Sequence, residues 1–232
     1  MAWPVCLLAG STMPTHEIVL TGVVLAILIL SLGIHEAAHA YVAHRCGDDT
    51  AKNLGRLTLN PIAHIDPFMT VLLPLFLWIS TNGRFVFGGA RPVPVNPYNL
   101  RHPSRDMAYV ALAGPISNFL LAILFIVLWK VIALFGDYPA DALIYRAMFG
   151  GVMLNVFLAV FNLIPIPPLD GSRVVMHLLP DSKKAAYASV ERFGFFVLLA
   201  ILWGIPGATG VLASASMHVV QFLWDVTGGS WA

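Results

Sequence analysis

Residues 18–45 of this 232-residue chain read IVLTGVVLAILILSLGIHEAAHAYVAHR, and this stretch decides the class of fold. Residues 18–34 carry no charged side chain. A run of about 20 predominantly apolar residues is long enough to cross the hydrocarbon core of a bilayer as a helix. The stretch therefore predicts a membrane helix. The ionisable residues near its end predict a functional site, because such groups are costly inside a membrane.

The composition indicates that the whole chain belongs in a membrane. Hydrophobic residues make up 58% of the sequence and charged residues 11%, with a mean hydropathy of +0.80. A typical soluble domain carries charge on about a quarter of its residues. The net charge of +1 and the lack of Lys- and Arg-rich runs argue against a nucleic-acid partner. Two cysteines, Cys6 and Cys46, are too few for a disulfide framework.

The apolar runs predict an all-α polytopic membrane protein with about five to six transmembrane helices. The predicted helical spans are residues 17–45, 106–135, 143–164, 188–204 and 208–226. Residues 68–80 would extend about 20 Å against a hydrocarbon core of about 30 Å. This segment is predicted to be re-entrant, packed against protein, or lengthened by the preceding loop. Turn signals and prolines then predict short membrane-associated β-strands at residues 85–87 and 92–95.

The basic residues set the predicted orientation. Eleven of the thirteen Lys and Arg residues lie in two connections, residues 45–105 and 173–192. By the positive-inside rule both connections face the cytoplasm and the amino terminus lies outside. Residues 1–232 are interpreted as a single membrane domain, with a motif-bearing core of about residues 17–180 and additional C-terminal helices.

The sequence His-Glu-Ala-Ala-His at residues 35–39 predicts a metal site. Imidazoles at i and i+4 lie on one face of a helix, close enough to hold one divalent ion, and Glu36 between them can reach a water molecule at that ion. Such a pattern also arises by chance, but the membrane setting favours the metal interpretation. Because a catalytic zinc site needs three protein ligands and an open position, His35 and His39 alone leave it incomplete.

Asp170 fits best as the third ligand. It follows the proline-broken residues 162–169, and irregular backbone is tolerated at membrane depth where it lines a cavity. The alternative is an interfacial aspartate that caps the next helix. Asn118, which follows Gly114 and Pro115, projects an amide to a similar depth. It is interpreted either as a site residue or as a hydrogen-bonding bridge between helices.

The motifs at residues 35–39, 114–118 and 162–171 resemble, in order and spacing, the site-2 protease family of intramembrane zinc metalloproteases. The connecting segments at residues 59–67 and 91–97 are similar to the compact prokaryotic branch without PDZ or CBS domains. The resemblance implies an assignment for five residues. The metal ligands are His35, His39 and Asp170, which hold one Zn²⁺ per chain, and the catalytic residues are Glu36 as general base and Asn118 as a holder of substrate or reacting carbonyl.

The resemblance also implies a function: hydrolysis of peptide bonds in transmembrane segments of membrane proteins, in the bilayer of a prokaryotic inner membrane. A helical substrate must unwind locally, because its peptide bonds are protected by internal hydrogen bonds. Residues 85–95 are interpreted either as an edge that pairs with the unwound substrate or as a loop over the site. A membrane transporter of metal ions and an inactive relative that binds membrane proteins remain alternatives, and self-association is left open.

Overall fold

The computed structural model describes residues 15–80, 88–139 and 141–228. Within these ranges the chain forms helices joined by short connections, and no strand occurs there. Four helical segments of the described chain are long and apolar enough to cross a membrane. They are Thr15–Arg45, Pro103–Phe135, Leu143–Asn162 and Asp181–Leu202. The prediction of an all-α membrane protein is therefore confirmed at the level of fold class.

The helices follow one another along the chain with few residues between them. In order they are α1 (Thr15–Arg45), α2 (Thr50–Asn53), α3 (Leu73–Ser80), α4 (Pro103–Phe135), α5 (Leu143–Asn162), α6 (Gly171–Leu178), α7 (Asp181–Ser189), α8 (Gly194–Gly204) and α9 (Ala208–Val226). Single turns of 3-10 helix lie at Pro61–His64, Pro97–Asn99 and Val190–Phe193, and a π-helical turn at Pro67–Leu72 leads into α3. The predicted boundaries of α1, α4, α5 and α9 lie within three residues of these.

Two predicted elements differ from the structure. The span predicted at residues 188–204 begins as an α-helix only at Gly194, where a Cβ would lie 2.0 Å from the Pro167 carbonyl oxygen. A 3-10 turn at Val190–Phe193 precedes this point, and the backbone of Pro167 packs closely against the first residue of α8. The strand predicted at residues 92–95 is not formed, because Pro92 and Pro94 cannot donate ladder hydrogen bonds. The strand predicted at residues 85–87 lies outside the described residues.

Helix α4 lies at the centre of the packing and contacts α1, α5 and α6. Small residues allow the close approach of membrane helices, where lipid removes the usual hydrophobic driving force. At Gly151 of α5, for example, a Cβ would lie 2.8 Å from the Phe125 ring of α4. Helices α4, α5 and α9 meet in a buried cluster that consists of Ala122, Ile126, Val152, Val156, Val220 and Trp224.

Two polar contacts show which helix ends lie on the same side. Arg146 at the start of α5 pairs with Glu17 at the start of α1, with 2.9 Å between nitrogen and oxygen. Lys130 near the end of α4 donates to the carbonyl of Thr227, just after α9, at 2.7 Å. The start of α1 and the ends of α4 and α9 therefore lie together, and the end of α1 lies at the opposite side of the bundle.

The connection from α1 to α4 passes over that opposite side. Its residues 90–96, which we call the strap, have no regular secondary structure and are held by hydrogen bonds to earlier parts of the chain. The Arg91 amide donates to the His64 carbonyl at 2.8 Å, and the Asn96 amide donates to the Asp48 carboxylate at 2.7 Å. Buried Arg56 also donates to the Arg91 carbonyl. These bonds fix the strap across the end of α1.

Candidate metal centre

The two histidines of α1 point to one place. Both are buried, and their Nε2 atoms lie 3.0 Å apart. This is the proximity expected of side chains one helical turn apart on the same face. Each ring also has a partner at its other nitrogen: His39 Nδ1 lies 2.6 Å from the Val110 carbonyl and His35 Nδ1 lies 2.6 Å from Asn118 Oδ1.

Asp170 joins the histidines from the irregular segment after α5. Its Oδ2 atom lies 3.2 Å from His35 Nε2 and 3.5 Å from His39 Nε2. The chain turns so tightly at this point that only glycine fits at position 171. A Cβ there would lie 2.2 Å from the Leu163 carbonyl oxygen. Asp170 occupies the N-cap position of α6, yet its side chain makes no capping hydrogen bond. The carboxylate is thus directed to the histidines and not to the helix end.

Three lone pairs face one another in the cluster. They belong to Nε2 of His35, Nε2 of His39 and Oδ2 of Asp170. A carbonyl oxygen can only accept, so the Val110 contact requires a hydrogen on His39 Nδ1 and leaves Nε2 of the neutral ring bare. Asp170 Oδ2 is buried and receives no hydrogen bond from the described residues. His35, His39 and Asp170 can together hold a metal ion, since their ligand atoms lie within 4.8 Å of one another. A cation between them would satisfy all three.

Helix α4 approaches this cluster closely through a glycine. A Cβ on Gly114 would lie 2.5 Å from Nε2 of both His35 and His39. Because both rings are held at Nδ1, they have little freedom to move away from such an atom. Gly114 thus leaves free the space in front of the two ligand nitrogens.

Glu36 lines an open cavity of about 390 Å³ next to the cluster. One of its carboxylate oxygens, Oε2, accepts a hydrogen bond from the Val93 amide of the strap at 2.8 Å. Besides the predicted metal ligands, the cavity is lined by Pro92, Val93, Val95, Pro97, Met107, Val110, Ala111, Asn162, Pro168 and Arg173. An extended peptide could therefore lie between the strap, α4 and the segment after α5, with Glu36 beside it.

Asn118 lies behind the cluster and is completely buried. Its Oδ1 atom contacts His35, and its Nδ2 atom donates to Asn155 Oδ1 of α5 at 3.0 Å. It is not among the residues that line the cavity. Both polar atoms of this amide therefore have protein partners within the bundle.

Three other residues with side chains that can bind metals lie outside the cluster. His64 is buried, and its Nε2 contacts the Thr58 carbonyl at 3.0 Å. Asp66 accepts from the Phe68 and Met69 amides and so caps the helical turn that follows. His44 pairs with Asp49 at the end of α1. Within the described chain none of them joins the three-residue cluster.

Comparison with known proteins decides the family. The sequence profile of peptidase family M50 matches residues 23–147 and 131–205. The chain belongs to this site-2 protease family.

Curated relatives match most of the chain. YwhC of Bacillus subtilis, provisionally named a zinc metalloprotease, is 42% identical over 188 residues, which are 80% of this chain and 81% of YwhC. Rip2 of Mycolicibacterium smegmatis, named in the same way, is 31% identical over 233 residues, 99% of this chain and 82% of Rip2. The zinc metalloprotease MJ0392 of Methanocaldococcus jannaschii is 24% identical over 202 residues, 85% of this chain and 47% of that protein. No solved structure gave a significant match.

Membership of M50 and these names support a metalloprotease with Zn²⁺ as cofactor. The residues present fit that ion, because two imidazole nitrogens and one carboxylate oxygen form a catalytic zinc donor set with an open position. The bare nitrogens and the donor-free oxygen of Asp170 are independent structural support for a cation at this point.

The sequence analysis missed two residues of the region. Arg173 lines the cavity, but a basic residue in the first turn of an amphipathic helix gives no specific signal in a sequence. Asn155 is completely buried behind the centre. The sequence could have indicated Asn155, because a polar side chain in the middle of an apolar membrane helix must find a partner inside the protein.

Proposed function

We propose that the protein is an intramembrane zinc endopeptidase that cleaves membrane proteins within or next to their transmembrane segments. The observation that supports this most directly is the location of the cluster on α1. His39 precedes Arg45, the last residue of a helix apolar enough to cross a membrane, by about 9 Å of helix. A hydrolytic centre at that depth is placed to act on peptide bonds below the membrane surface.

The proposed roles follow from the contacts. His35, His39 and Asp170 hold one Zn²⁺ per chain, and the ion would polarise the scissile carbonyl and lower the pKa of a water molecule to about 7. Glu36 takes the proton of the attacking water and returns it to the leaving nitrogen. Because the Val93 amide occupies only Oε2 of Glu36, the other carboxylate oxygen remains for this proton transfer.

The shape of the cavity supports a substrate that enters in an extended form. The cavity is bounded by the strap on one side and by α4 and the segment after α5 on the other. The peptide bonds of a transmembrane helix are hydrogen-bonded internally and surrounded by their own side chains, so an intact helix does not present its backbone to Glu36. Local unwinding would expose the scissile bond to the general base.

The proposed placement in the membrane follows the positive-inside rule. The start of α1 and the connection after α4 lie outside, and the strap and the segment after α5 lie at the cytoplasmic side of a prokaryotic inner membrane. Residues 1–232 act as one membrane domain in this arrangement, with the active site near the cytoplasmic side.

Cleavage of a reconstituted single-span substrate tests this function. We expect the parent protein to cleave a transmembrane peptide and Glu36→Gln to retain zinc while losing about 10²–10⁴-fold in turnover. Glu17→Gln is the matched control, because it makes the same change at the opposite end of α1, where Glu17 pairs with Arg146. It should cleave at the parental rate.

Three outcomes would contradict the proposal. Parental cleavage by Glu36→Gln would exclude the assigned base, and hydrolysis of soluble peptides without transmembrane ones would exclude intramembrane action. Zinc flux across vesicles without any cleavage would favour the transporter alternative.

A further inference from the structure

Asn155 is a buried polar side chain that the proposed chemistry does not use. It lies in the middle of α5 and has no exposed surface. Its Nδ2 atom donates to the Gly151 carbonyl at 2.9 Å, and its Oδ1 atom accepts from Asn118 Nδ2 at 3.0 Å. Asn118 in turn contacts His35 Nδ1 at 2.6 Å. A continuous row of hydrogen bonds thus links the α5 backbone to a predicted metal ligand.

The direction of every bond in this row is fixed from its far end. The Gly151 carbonyl can only accept, so the atom of Asn155 that faces it must be the NH₂ group. The other side-chain atom of Asn155 is then an oxygen, which must be met by the NH₂ group of Asn118. Asn118 therefore presents an oxygen to His35.

The hydrogen-bond acceptor Asn118 Oδ1 determines which tautomer the His35 ring adopts. Because Asn118 Oδ1 can only accept, the hydrogen of the neutral ring lies on Nδ1, and Nε2 keeps its lone pair. His35 Nε2 is the atom that faces His39 Nε2 and Asp170. Partners of this kind behind a metal-binding histidine fix its tautomer and ring orientation and raise metal affinity.

We propose that Asn155 is a positioning residue that sets the orientation of the Asn118 amide and, through it, the tautomer of His35. This assignment rests on the proposed function, in which His35 binds zinc. It places Asn118 behind the ligand instead of on the substrate, in agreement with its complete burial. Without Asn155, the Asn118 amide can turn over and present NH₂ to His35, which favours the wrong tautomer.

The first experiment measures zinc affinity by competition with a chromophoric chelator. Loss of a group that hydrogen-bonds to a metal ligand lowers metal affinity by about 10–100-fold. We expect Asn155→Leu and Asn118→Leu each to lower zinc affinity by an amount in this range. The double variant should bind no more weakly than Asn118→Leu alone, because both changes interrupt one row of bonds. Val156→Ala is the matched control, since it opens space at a buried neighbour and should lower thermal stability without changing zinc affinity.

The second experiment is a rescue that a purely structural role would not allow. Both oxygens of a carboxylate accept, so Asn118→Asp can receive the His35 hydrogen in either orientation. We expect Asn118→Asp to restore zinc affinity in the Asn155→Leu background to within a few-fold of the parent. If Asn155→Leu does not fold, Asn155→Ala replaces it in the same measurements of zinc affinity, with and without Asn118→Asp.

The outcomes separate this proposal from the proposed function. A parent protein without zinc would overturn both. A zinc-binding parent whose Asn155 variants bind zinc as tightly as it does would overturn the positioning role alone. Additive losses in the double variant, or no rescue by Asn118→Asp, would also overturn that role.

Discussion

At the scale of single residues, the candidate centre depends on which atoms carry hydrogens. The carbonyl of Val110 requires the hydrogen of His39 to be on Nδ1, and Asn118 requires the same of His35. The nitrogens that face Asp170 are therefore both bare. The cluster thus directs two bare nitrogens and a carboxylate oxygen at one point, an arrangement that a single cation can bridge.

Asp170→Asn tests the third ligand. Replacement of one carboxylate oxygen by NH₂ removes the charge and directs a donor at the cluster, so we expect zinc affinity to fall by at least about 100-fold and turnover to fall with it. The fold should survive, because the substitution is nearly isosteric and Asp170 makes no capping bond to α6. Elemental analysis after dialysis against a chelator, with a thermal melt, measures both properties.

Asp181→Asn is the control for this substitution, because Asp181 lies at the exposed start of α7 and pairs with Lys184, away from the cluster. It should keep full zinc content. A folded Asp170→Asn protein with parental zinc content and turnover would refute the three-ligand set.

The sequence was sufficient to predict which residues form the candidate centre, but not which residues support them. The spacing of His35 and His39 and the prolines before Asp170 were sufficient to propose three ligands, and the structure brings these three side chains together. The partner of Asn118 could not be predicted, because Asn118 and Asn155 meet only through the packing of α4 on α5. That packing depends on a close approach at Gly151, which no short motif reveals.

At the scale of elements, the strap joins the residues that follow α1 to Glu36 of the candidate site. In the part of the chain that the structure describes it has no strand partner, and individual hydrogen bonds set its position. Asp48 is the most enclosed of its anchors: the buried carboxylate accepts from the Asn96 amide, the Asn99 side chain and the Thr50 amide. Burial raises the pKa of Asp48, but these hydrogen bonds outweigh it and hold the pKa below its ordinary value.

Asp48→Asn should loosen the strap without disturbing the metal ligands. A buried hydrogen bond to a charged group contributes about 1.5–3 kcal/mol, and we expect a loss of that order in the free energy of unfolding. Turnover should fall about tenfold, because the Val93 contact to Glu36 depends on the strap, while zinc content stays at the parental level. Asp49→Asn, a neighbouring surface change, should alter neither turnover nor stability appreciably.

The pH dependence of stability gives a second check on Asp48. Because its pKa is lower in the folded protein than in the unfolded chain, its contribution is fully present above about pH 4 and is lost as the pH falls through the folded value. The stability curves of the parent and Asp48→Asn should therefore converge in acid. Curves that stay parallel, or a variant with parental turnover, would contradict the anchoring role.

At the scale of the whole molecule, apolar runs predicted the long helices, but contacts are needed to say which of them cross. Tyr187 donates to the Pro165 carbonyl at 2.8 Å, so α7 lies beside the irregular segment that carries Asp170. The end of α9 lies beside Lys130, near the opposite end of the bundle. Two full crossings after α7 would bring the end of α9 back to the side of Asp170. The segment Asp181–Leu202 has the length and composition of a span, and only its packing argues against a crossing.

These contacts predict that α9 runs from the cytoplasmic side to the outside. Helix α9 is not one of the four segments with the length and composition of a span, but its 19 residues extend about 28 Å, close to the thickness of a hydrocarbon core. Trp224 near its end packs on Trp129 with ring centroids 4.2 Å apart. Helix α8 would then return to the cytoplasmic side without crossing. We therefore expect the Ile205 connection to face the cytoplasm and Asp225 to face the outside.

Single-cysteine labelling in intact and everted vesicles, in a background without Cys6 and Cys46, tests this topology. Asp137→Cys and Asp225→Cys should react with an impermeant reagent only from the outside, and Ile205→Cys only from the cytoplasmic side. Lys183→Cys serves as the cytoplasmic reference, because the positive-inside rule places it there independently of α9. Labelling of Ile205→Cys from the outside together with Asp225→Cys from the cytoplasm would mean that α8 and α9 both cross. The Lys130 contact with Thr227 would then be excluded in the membrane, because its two residues would lie on opposite sides of the bilayer.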